Sequence, residues 1–466
     1  MLRKYRYLWP EFCISLIALI FMLRELGTFP ASWADEGLFV IVAKMLAGGQ
    51  GYAMPLLQGK WLYPYFLNVG PTLIVPVAAS IRIFGVSLVA ARIPMVLWMI
   101  ACTALFYIFT RRVAGRINAL WATALLVTLS AFVNTGKPVL GEIPAFTFLI
   151  GGLLILMQGP SWKRTVVSGL LFGLAFLTKI TFGLILPALG VAWLRALVRK
   201  RWTELRDVTV IGILTILVFL PWRIVEMTHT IGSEGLAQQL KNFLAGGDGS
   251  TLMYVLRFTP ELLLRLPYLA FGLFFLFAVT GWWALRKRLN ATTWIVIGTL
   301  VALVMLYFVN GFGWYRLLLP AHLLLLPFVP TGAFTLLGKR AGTVVLILII
   351  AAQAHWQWTH RGSNPSLEGP QAVAYIIGHY QEKNLIVEQT EIFGQLPFNP
   401  RWRFIMPNIS FSLSPEFSTV AGDDCRIPLL RKLSEEQRSG YRPQQIEVAA
   451  GRYVIVHDYP CPYTVQ

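Results

Sequence analysis

Ionisable side chains stand where apolar stretches of the chain end, and their types suit chemistry on a phosphate-bearing lipid. The acidic groups are Asp35 and Glu36, after the first apolar stretch, and Glu142, in a turn after the third. The basic groups, Lys179 and Arg316, lie beside later stretches. A carboxylate can accept a proton from a hydroxyl, while Lys and Arg neutralise a departing phosphate. The alternative left open is that these groups pair with one another as structural salt bridges.

The acidic pair begins a predicted helix. In residues 33–52, WADEGLFVIVAKMLAGGQGY, apolar residues recur at helical spacing from Gly37, and Gly48-Gly49 ends the helix. Carboxylates also favour the positive end of a helix dipole. Taken alone, such a pair is more often a solvated cap than a catalytic site, so the other charged groups along the chain are what favour chemistry.

The composition is that of a polytopic α-helical membrane protein. The 466 residues are 56% hydrophobic and 13% charged, with a mean hydropathy of +0.62, which is more apolar surface than a soluble core can bury. The net charge of +18 does not indicate nucleic-acid binding. The Lys and Arg residues of the chain fall in short clusters between apolar stretches, and such clusters are typical of the cytoplasmic loops of membrane proteins.

Eleven apolar stretches approach the roughly 20 residues that a membrane crossing needs. They are 8–26, 92–110, 117–134, 143–158, 166–178, 182–197, 208–225, 267–285, 292–309, 317–336 and 341–355. Basic clusters mark the N terminus and every second connection, which places the N terminus and these connections in the cytoplasm. The first stretch lacks a convincing cleavage site and is expected to remain as an anchor in a cell (inner) membrane.

The stretch 71–84 does not fit this alternation as a crossing. It is short, contains Pro71, Pro76 and Arg82, and would put the next basic cluster on the wrong side. We expect an interfacial or re-entrant helix within one long external loop, residues 28–91.

Two later connections face the same external side. Lys179 lies in the tight turn between two crossings, where it either serves the site or snorkels to the headgroups. The connection from Trp222 to Glu261 includes PWR at 221–223 and AGGDGS at 245–250. The Gly-rich part suits a mobile loop over a site or a mere linker.

The polar tail, residues 356–466, is expected to form a small external α/β domain. A helix is predicted at 368–380, and strands are predicted at 385–387 and 453–456. Cys425 and Cys461 can pair if the tail faces an oxidising compartment.

Other chemistries find no matching motif. The His residues are scattered without HExxH or paired Cys/His spacing, so a built-in zinc site is not expected, and no GxSxG is present.

Six segments together resemble the GT-C fold membrane glycosyltransferases that use polyprenyl-phosphate sugars, a superfamily that includes aminoarabinose transferases and protein O-mannosyltransferases. They are WADEGLFVIVAKMLAGG after the first stretch, IFGVSLVAARIP at 83–94, GEIPAF at 141–146, GLAFLTK at 173–179, PWR at 221–223 and WYRLLLP at 314–320. They run in family order through about three quarters of the chain. The resemblance implies a GT-C fold with juxtamembrane helices in the first external loop. With the stretches counted above, we expect about eleven transmembrane helices in a catalytic domain over residues 1–355.

The resemblance also implies an inverting sugar transfer on the external face. Asp35 would be the catalytic base, Glu36 would assist it or order the loop, and Glu142 matches the family's second acidic position. The partners implied are a polyprenyl-phosphate sugar and a glycan, lipid or protein acceptor at the membrane. No cofactor is implied, and a divalent metal stays an open alternative.

The donor phosphate would be bound by Arg316 and Lys179. Many relatives carry Lys-Pro-Pro-Leu or His-Pro-Pro-Leu in the first loop, where this chain has NVGPTL at 68–73. The nearest cation there is Lys60, a weaker candidate for the same phosphate.

Two other function classes compete with this hypothesis. A transporter or flippase of a lipid-linked or anionic solute typically shows internal repeats and charges near the bilayer midplane, whereas here no repeat is found and the charges gather at one rim. A non-catalytic subunit of an envelope assembly would not need Asp35 and Glu142.

Overall fold

A computed structural model describes residues 8–55, 61–62, 69–159, 161–228, 266–310, 314–360, 365–405 and 419–464. Up to residue 360 the described chain is largely helical. The helices are α1 (Trp9–Leu23), α2 (Ala34–Ala47), α3 (Pro71–Phe84), α4 (Leu88–Ala114), α5 (Arg116–Thr128), α6 (Ser130–Gly136), α7 (Glu142–Leu156), α8 (Trp162–Thr178), α9 (Ile185–Val198), α10 (Trp202–Thr228), α11 (Leu266–Leu285), α12 (Ala291–Asn310), α13 (Tyr315–Leu325) and α14 (Val329–Trp358).

Each predicted apolar stretch falls largely on helical residues. Among the residues described, five helices are long and apolar enough to cross a membrane, or six if the bent pair α5 and α6 counts as one crossing. The prediction of a multi-pass helical membrane protein is thereby confirmed, whereas eleven crossings stay a prediction.

Local sequence explains where the helices depart from the predicted stretches. Helix α4 begins at Leu88 rather than residue 92, because the Ser87 Oγ accepts a hydrogen bond from the Ala90 N–H at 3.1 Å and caps the helix. The stretch 117–134 is bent by 59° between α5 and α6. Helix α14 is broken at Gly338, whose φ of 75° suits glycine far better than other residues.

One loop prediction is wrong. Residues 221–223 continue helix α10, which runs to Thr228, so PWR is helical and not part of the connection. The ring of Trp222 packs edge-on against the ring of Tyr52, with 4.8 Å between the ring centroids. This contact joins the end of α10 to the first loop. Residues 245–250 lie outside the described residues.

The first loop holds the predicted helix 71–84 as α3, and α2 is packed against it. A short hairpin, β1 (Met54–Pro55) and β2 (Trp61–Leu62), lies between them. The loop reaches the turn after α8 through an antiparallel bridge between Val69 and Lys179. Helix α2 is buried over an unbroken run, residues 36–45, as expected for a helix that is covered on every side.

The tail forms a five-stranded mixed sheet of order β4-β3-β6-β8-β7. The tail elements are α15 (Glu368–His379), β3 (Leu385–Val387), α16 (Thr390–Phe393), β4 (Trp402–Phe404), β5 (Thr419–Val420), β6 (Leu429–Lys432), α17 (Glu435–Ser439), β7 (Ile446–Ala450), β8 (Tyr453–Val456) and β9 (Tyr463–Thr464). Strand β3 is parallel to β4 and β6, whereas β8 is antiparallel to β6 and β7. The helix and strands predicted at 368–380, 385–387 and 453–456 coincide with α15, β3 and β8, and Cys425 is disulfide-bonded to Cys461.

The tail shares its hydrophobic core with the first loop. Phe39 of α2 and Val77 of α3 belong to the same buried cluster as Leu385 of β3 and Ile455 of β8. The tail therefore packs against the helix that begins with the acidic pair, with α16 in direct contact with α2. Division of the chain into two domains near residue 356 stays a prediction.

Candidate active site

Helix α2 places Asp35 in its first turn, where the carboxylate meets Arg316 from the first turn of α13. Arg316 Nη2 donates a hydrogen bond to Asp35 Oδ2 at 2.7 Å. The guanidinium lies over two indole rings, 4.6 Å from the Trp33 centroid and 4.5 Å from the Trp314 centroid. This stacking holds the cation by attraction to both ring faces. The structure thus brings together two predicted site residues that lie far apart in the sequence.

The Arg316 guanidinium has hydrogen-bond donors that Asp35 does not use. Its Nε and Nη1 atoms are buried and have no hydrogen-bond partner among the described residues. A guanidinium can present a planar fork of donors that matches a phosphate or carboxylate. Arg316 therefore has the geometry to bind an anion with atoms that Asp35 does not use.

The second pair of predicted residues forms an ion pair beside the first. Lys179 Nζ donates to Glu142 Oε1 at 2.7 Å, and both side chains are buried. Glu142 Oε2 has no hydrogen-bond partner in the described part of the chain. Arg316 also interacts electrostatically with Glu142. The two ion pairs therefore act as one charged cluster.

A close approach of two backbones fixes the position of Lys179. The Gly70 N–H donates to the Thr178 carbonyl at 3.2 Å, and a Cβ on Gly70 would lie 1.9 Å from the Leu177 carbonyl oxygen. Only glycine allows this approach. Residues 69 and 70 of the first loop thereby hold the end of α8, and with it the ammonium group.

A narrow cavity lies beside this cluster. Glu142, Tyr307 and Arg316 supply polar side chains to its wall, and the rest is mostly apolar, with Leu149, Leu300, Val304 and Pro320 among its residues. Such a lining suits a ligand that joins an anionic group to a hydrocarbon chain.

Glu36 lies in a different environment from Asp35. Its Oε1 accepts from Arg92 Nε at 2.8 Å and its Oε2 from Arg92 Nη2 at 2.6 Å, and the Val139 N–H donates to Oε1 at 3.0 Å. Both side chains are fully buried. Arg92 also donates to the carbonyls of Leu26 and Pro30. Glu36 thus ties α2 to α4, to the start of the first loop and to the turn before α7.

Sequence reasoning did not identify Arg92 as a site residue. The signal was present, because Arg92 opens an apolar stretch and a buried cation requires a carboxylate partner. Nothing in the sequence showed that this partner was Glu36.

Glu36→Gln is expected to destabilise the protein by about 3–5 kcal/mol, because it leaves the buried Arg92 charge without its counter-ion. The thermal unfolding midpoint of the purified protein measures the effect. Glu382→Gln removes a carboxylate from an exposed pair with Arg401 and is the matched control, with an expected loss below about 1 kcal/mol. Equal midpoints for the two variants would contradict the structural importance of the Glu36–Arg92 pair.

Lys44 anchors the far end of α2 to the tail. Its Nζ donates to the Phe393 carbonyl at 3.0 Å, and burial lowers the pKa of Lys44 from 10.5 to about 7. An unfolded chain keeps this amine protonated to about pH 10. The folded state therefore binds fewer protons than the unfolded state between about pH 7 and 10, and stability rises with pH in this range.

Lys44→Met is expected to reduce the increase of folding stability with pH, because it removes the titrating amine. Thermal unfolding midpoints at about pH 7, 8.5 and 10 measure the slope. The exposed Lys383 gives the control Lys383→Met, which should keep the wild-type slope. If Lys44→Met also kept it, Lys44 would not titrate in this window.

Lys60, the weaker phosphate candidate, lies outside the described residues. Among the residues with described positions, no group of three or more His, Cys, Asp or Glu side chains is placed to hold a metal ion.

Comparison with known proteins gives one family match and several matches of fold. A family model described as dolichyl-phosphate-mannose-protein mannosyltransferase matches residues 70–224, a segment that includes Glu142 and Lys179. No curated protein matches the sequence.

Two solved structures illustrate the likeness of fold. ArnT from Cupriavidus metallidurans, bound to undecaprenyl phosphate, is 13% identical, with 99% of this chain and 100% of that chain covered and a TM-score of 0.67. The archaeal oligosaccharyltransferase AglB from Archaeoglobus fulgidus, in complex with an inhibitory peptide and a dolichol-phosphate, is 12% identical. That match covers 84% of this chain and 64% of the other, with a TM-score of 0.57. The resemblance expected from the sequence is confirmed: a mannosyltransferase family model matches residues 70–224, and the chain shares the fold of these two solved structures.

Proposed function

We propose that the protein transfers a sugar from a polyprenyl-phosphate donor to an acceptor on the external face of the membrane, with inversion. The observation that carries this proposal is the Asp35–Arg316 ion pair at a cavity whose wall also includes Glu142. One group of this cluster can accept a proton and another can bind a phosphate. The solved structures similar in fold include one bound to undecaprenyl phosphate and one bound to a dolichol-phosphate.

Asp35 serves as the general base in this proposal. Its carboxylate accepts the proton of the acceptor hydroxyl while the acceptor oxygen bonds to the anomeric carbon of the sugar. The bond from that carbon to the phosphate oxygen breaks, and polyprenyl phosphate leaves with the electron pair. The proton on Asp35 then passes to water.

Arg316 binds the donor phosphate and stabilises the charge that develops on it as the bond breaks. The phosphate binds the Nε and Nη1 atoms of Arg316, which have no partner among the described residues, while Nη2 keeps its hydrogen bond to Asp35 Oδ2. The Asp35 carboxylate then accepts the proton on Oδ1. The apolar wall of the cavity takes the first part of the prenyl chain.

The remaining predicted residues have supporting roles in this proposal. Lys179 balances the charge of Glu142 and adds a second cation near the phosphate, while Glu142 orients the sugar with its free oxygen. Glu36 is a positioning residue, because its oxygens are occupied by Arg92 and Val139. Lys60 stays a predicted contact to the phosphate.

We propose that the chain crosses the membrane eleven times, with the N terminus in the cytoplasm and the tail outside. The basic clusters support this orientation. The Cys425–Cys461 disulfide supports the placement of the tail, because disulfides persist in oxidising compartments such as the periplasm.

Incubation of the purified full-length protein with a panel of labelled polyprenyl-phosphate sugars and an extract of envelope lipids and glycans tests the proposal. We expect at least one donor to be consumed with release of free polyprenyl phosphate. If no donor in the panel were consumed, the proposed transferase activity would be contradicted. Movement of the intact lipid across reconstituted vesicles would indicate the transporter alternative instead.

A further inference from the structure

A second and larger opening lies between the start of the first loop and the tail. It is a cleft of about 520 Å³, and none of its lining residues belongs to the cavity beside Arg316. Ser32 contributes to its wall from the loop. The tail contributes two acidic and two basic residues and one aromatic residue, namely Glu368, Glu391, Lys432, Arg452 and Tyr453.

The cleft lies close to the proposed base. Ser32 precedes Asp35 by three residues, so their Cα atoms are at most about 11 Å apart. Glu391 belongs to α16, and the neighbouring Thr390 Oγ1 donates to the Ala34 carbonyl at 2.9 Å. A Cβ on Gly37 would lie 2.3 Å from the Glu391 nitrogen. This contact between backbones fixes the cleft relative to the first turn of α2.

The cleft is a built polar site rather than a gap between surfaces. Glu391 and Tyr453 are 5% and 3% exposed, and the Tyr453 hydroxyl donates to Glu391 Oε1 at 3.1 Å. Lys432 Nζ lies 3.7 Å from Glu391 Oε1, and Arg452 Nε lies 3.4 Å from Glu368 Oε2. Lys432 Nζ also donates to the Tyr453 hydroxyl at 3.4 Å, so the charged groups and the aromatic residue form one connected cluster.

The charges indicate which ligand fits. Two carboxylates and two cations leave no net charge, whereas a phosphate site would carry an excess of Lys or Arg. The wall instead offers hydrogen-bond donors and acceptors in balance beside an aromatic residue. Sugar hydroxyl groups, which both donate and accept, match such a wall.

We propose that this cleft binds the acceptor, and that the acceptor is a neutral, hydroxyl-rich glycan. The inference rests on the proposed function, because it assigns the cleft to the second substrate of the same reaction. A hydroxyl of the bound glycan then points toward Asp35 while the rest of the glycan is held by the tail.

Saturation-transfer NMR on the full-length protein in detergent tests the cleft without any donor. The probes are a panel of neutral methyl glycosides and disaccharides and the matching sugar phosphates. At least one neutral sugar should bind, and its Kd should rise about 5- to 10-fold in Lys432→Gln and in Arg452→Gln, the effect of losing one hydrogen bond. Lys383→Gln, which removes an exposed charge from the same sheet region, should bind as the wild type does.

The inference is overturned if no neutral sugar binds, if both cleft variants bind like the wild type, or if the sugar phosphates bind more tightly through the same residues. Arg452 is partly exposed, so its variant tests the cleft even if a more buried substitution fails to fold. The proposed function can fail independently of the cleft: a protein that binds neutral sugars but consumes no donor would contradict the transferase activity and not the cleft. A donor-consuming protein that binds none of the neutral sugars would refute the cleft alone.

Discussion

Asp35→Asn is expected to reduce sugar transfer by about 10²–10⁴-fold, the usual contribution of a general base, while donor binding and folding stay intact. The amide has the same shape as the carboxylate and can still accept a hydrogen bond from Arg316, but it cannot take a proton from a hydroxyl. The measurement is the turnover rate at saturating donor, together with the donor Kd. The loss should therefore appear in kcat and not in donor binding.

The exposed Asp423 provides the matched control. Asp423→Asn removes the same charge from the tail and should leave turnover unchanged. Wild-type turnover by a folded Asp35→Asn protein would remove Asp35 from the chemistry and leave it as the counter-ion of Arg316.

Arg316→Ala is expected to raise the donor Kd by about 10- to 100-fold, because hydrogen bonds to a charged group contribute about 1.5–3 kcal/mol. Arg316→Lys should recover only part of this affinity. A lysine keeps the charge but loses the planar fork and the stacking between Trp33 and Trp314. Binding of a polyprenyl phosphate to the purified variants measures the effect directly.

Arg286 is a control of the same type, since its guanidinium also lies over an indole, 4.2 Å from the Trp283 centroid. Arg286→Ala removes a stacked arginine from the predicted cytoplasmic side and should bind donor like the wild type. If Arg316→Ala bound donor equally well, the phosphate would have to be held by other groups, with Lys179 the first candidate.

Much of the site could be predicted because charge is rare in this chain. Asp35 and Arg316 stand out against long apolar stretches, and the alternation of basic clusters placed both on one side of the membrane. The sequence could not show that they form an ion pair. They are 281 positions apart in the sequence, so the contact depends on how α2 packs against the other helices.

The neighbouring residues Asp35 and Glu36 show a second limit. Both are acidic and both begin the same helix, yet one faces Arg316 and the other is buried against Arg92. Successive helical residues point about 100° apart, so adjacent side chains meet different neighbours. Which neighbour each meets depends on the tertiary fold.

The docking of the tail on the first loop could not be predicted from the sequence either. Its helix and strands were predictable from local periodicity, but the docking of α16 on α2 depends on contacts such as Thr390 with Ala34, 356 residues apart. The close contact between α16 and α2 requires a glycine at position 37. A single glycine in a predicted helix does not show which segment packs against it.

A double-mutant cycle on Asp35→Asn and Arg316→Ala, read as kcat/KM for release of polyprenyl phosphate, tests most directly whether both residues act on one donor headgroup. If they do, the double variant should retain more activity than the product of the two single losses predicts, with a coupling of about 0.5–3 kcal/mol. Losses that multiply as though the residues were independent would contradict a single site built around this ion pair.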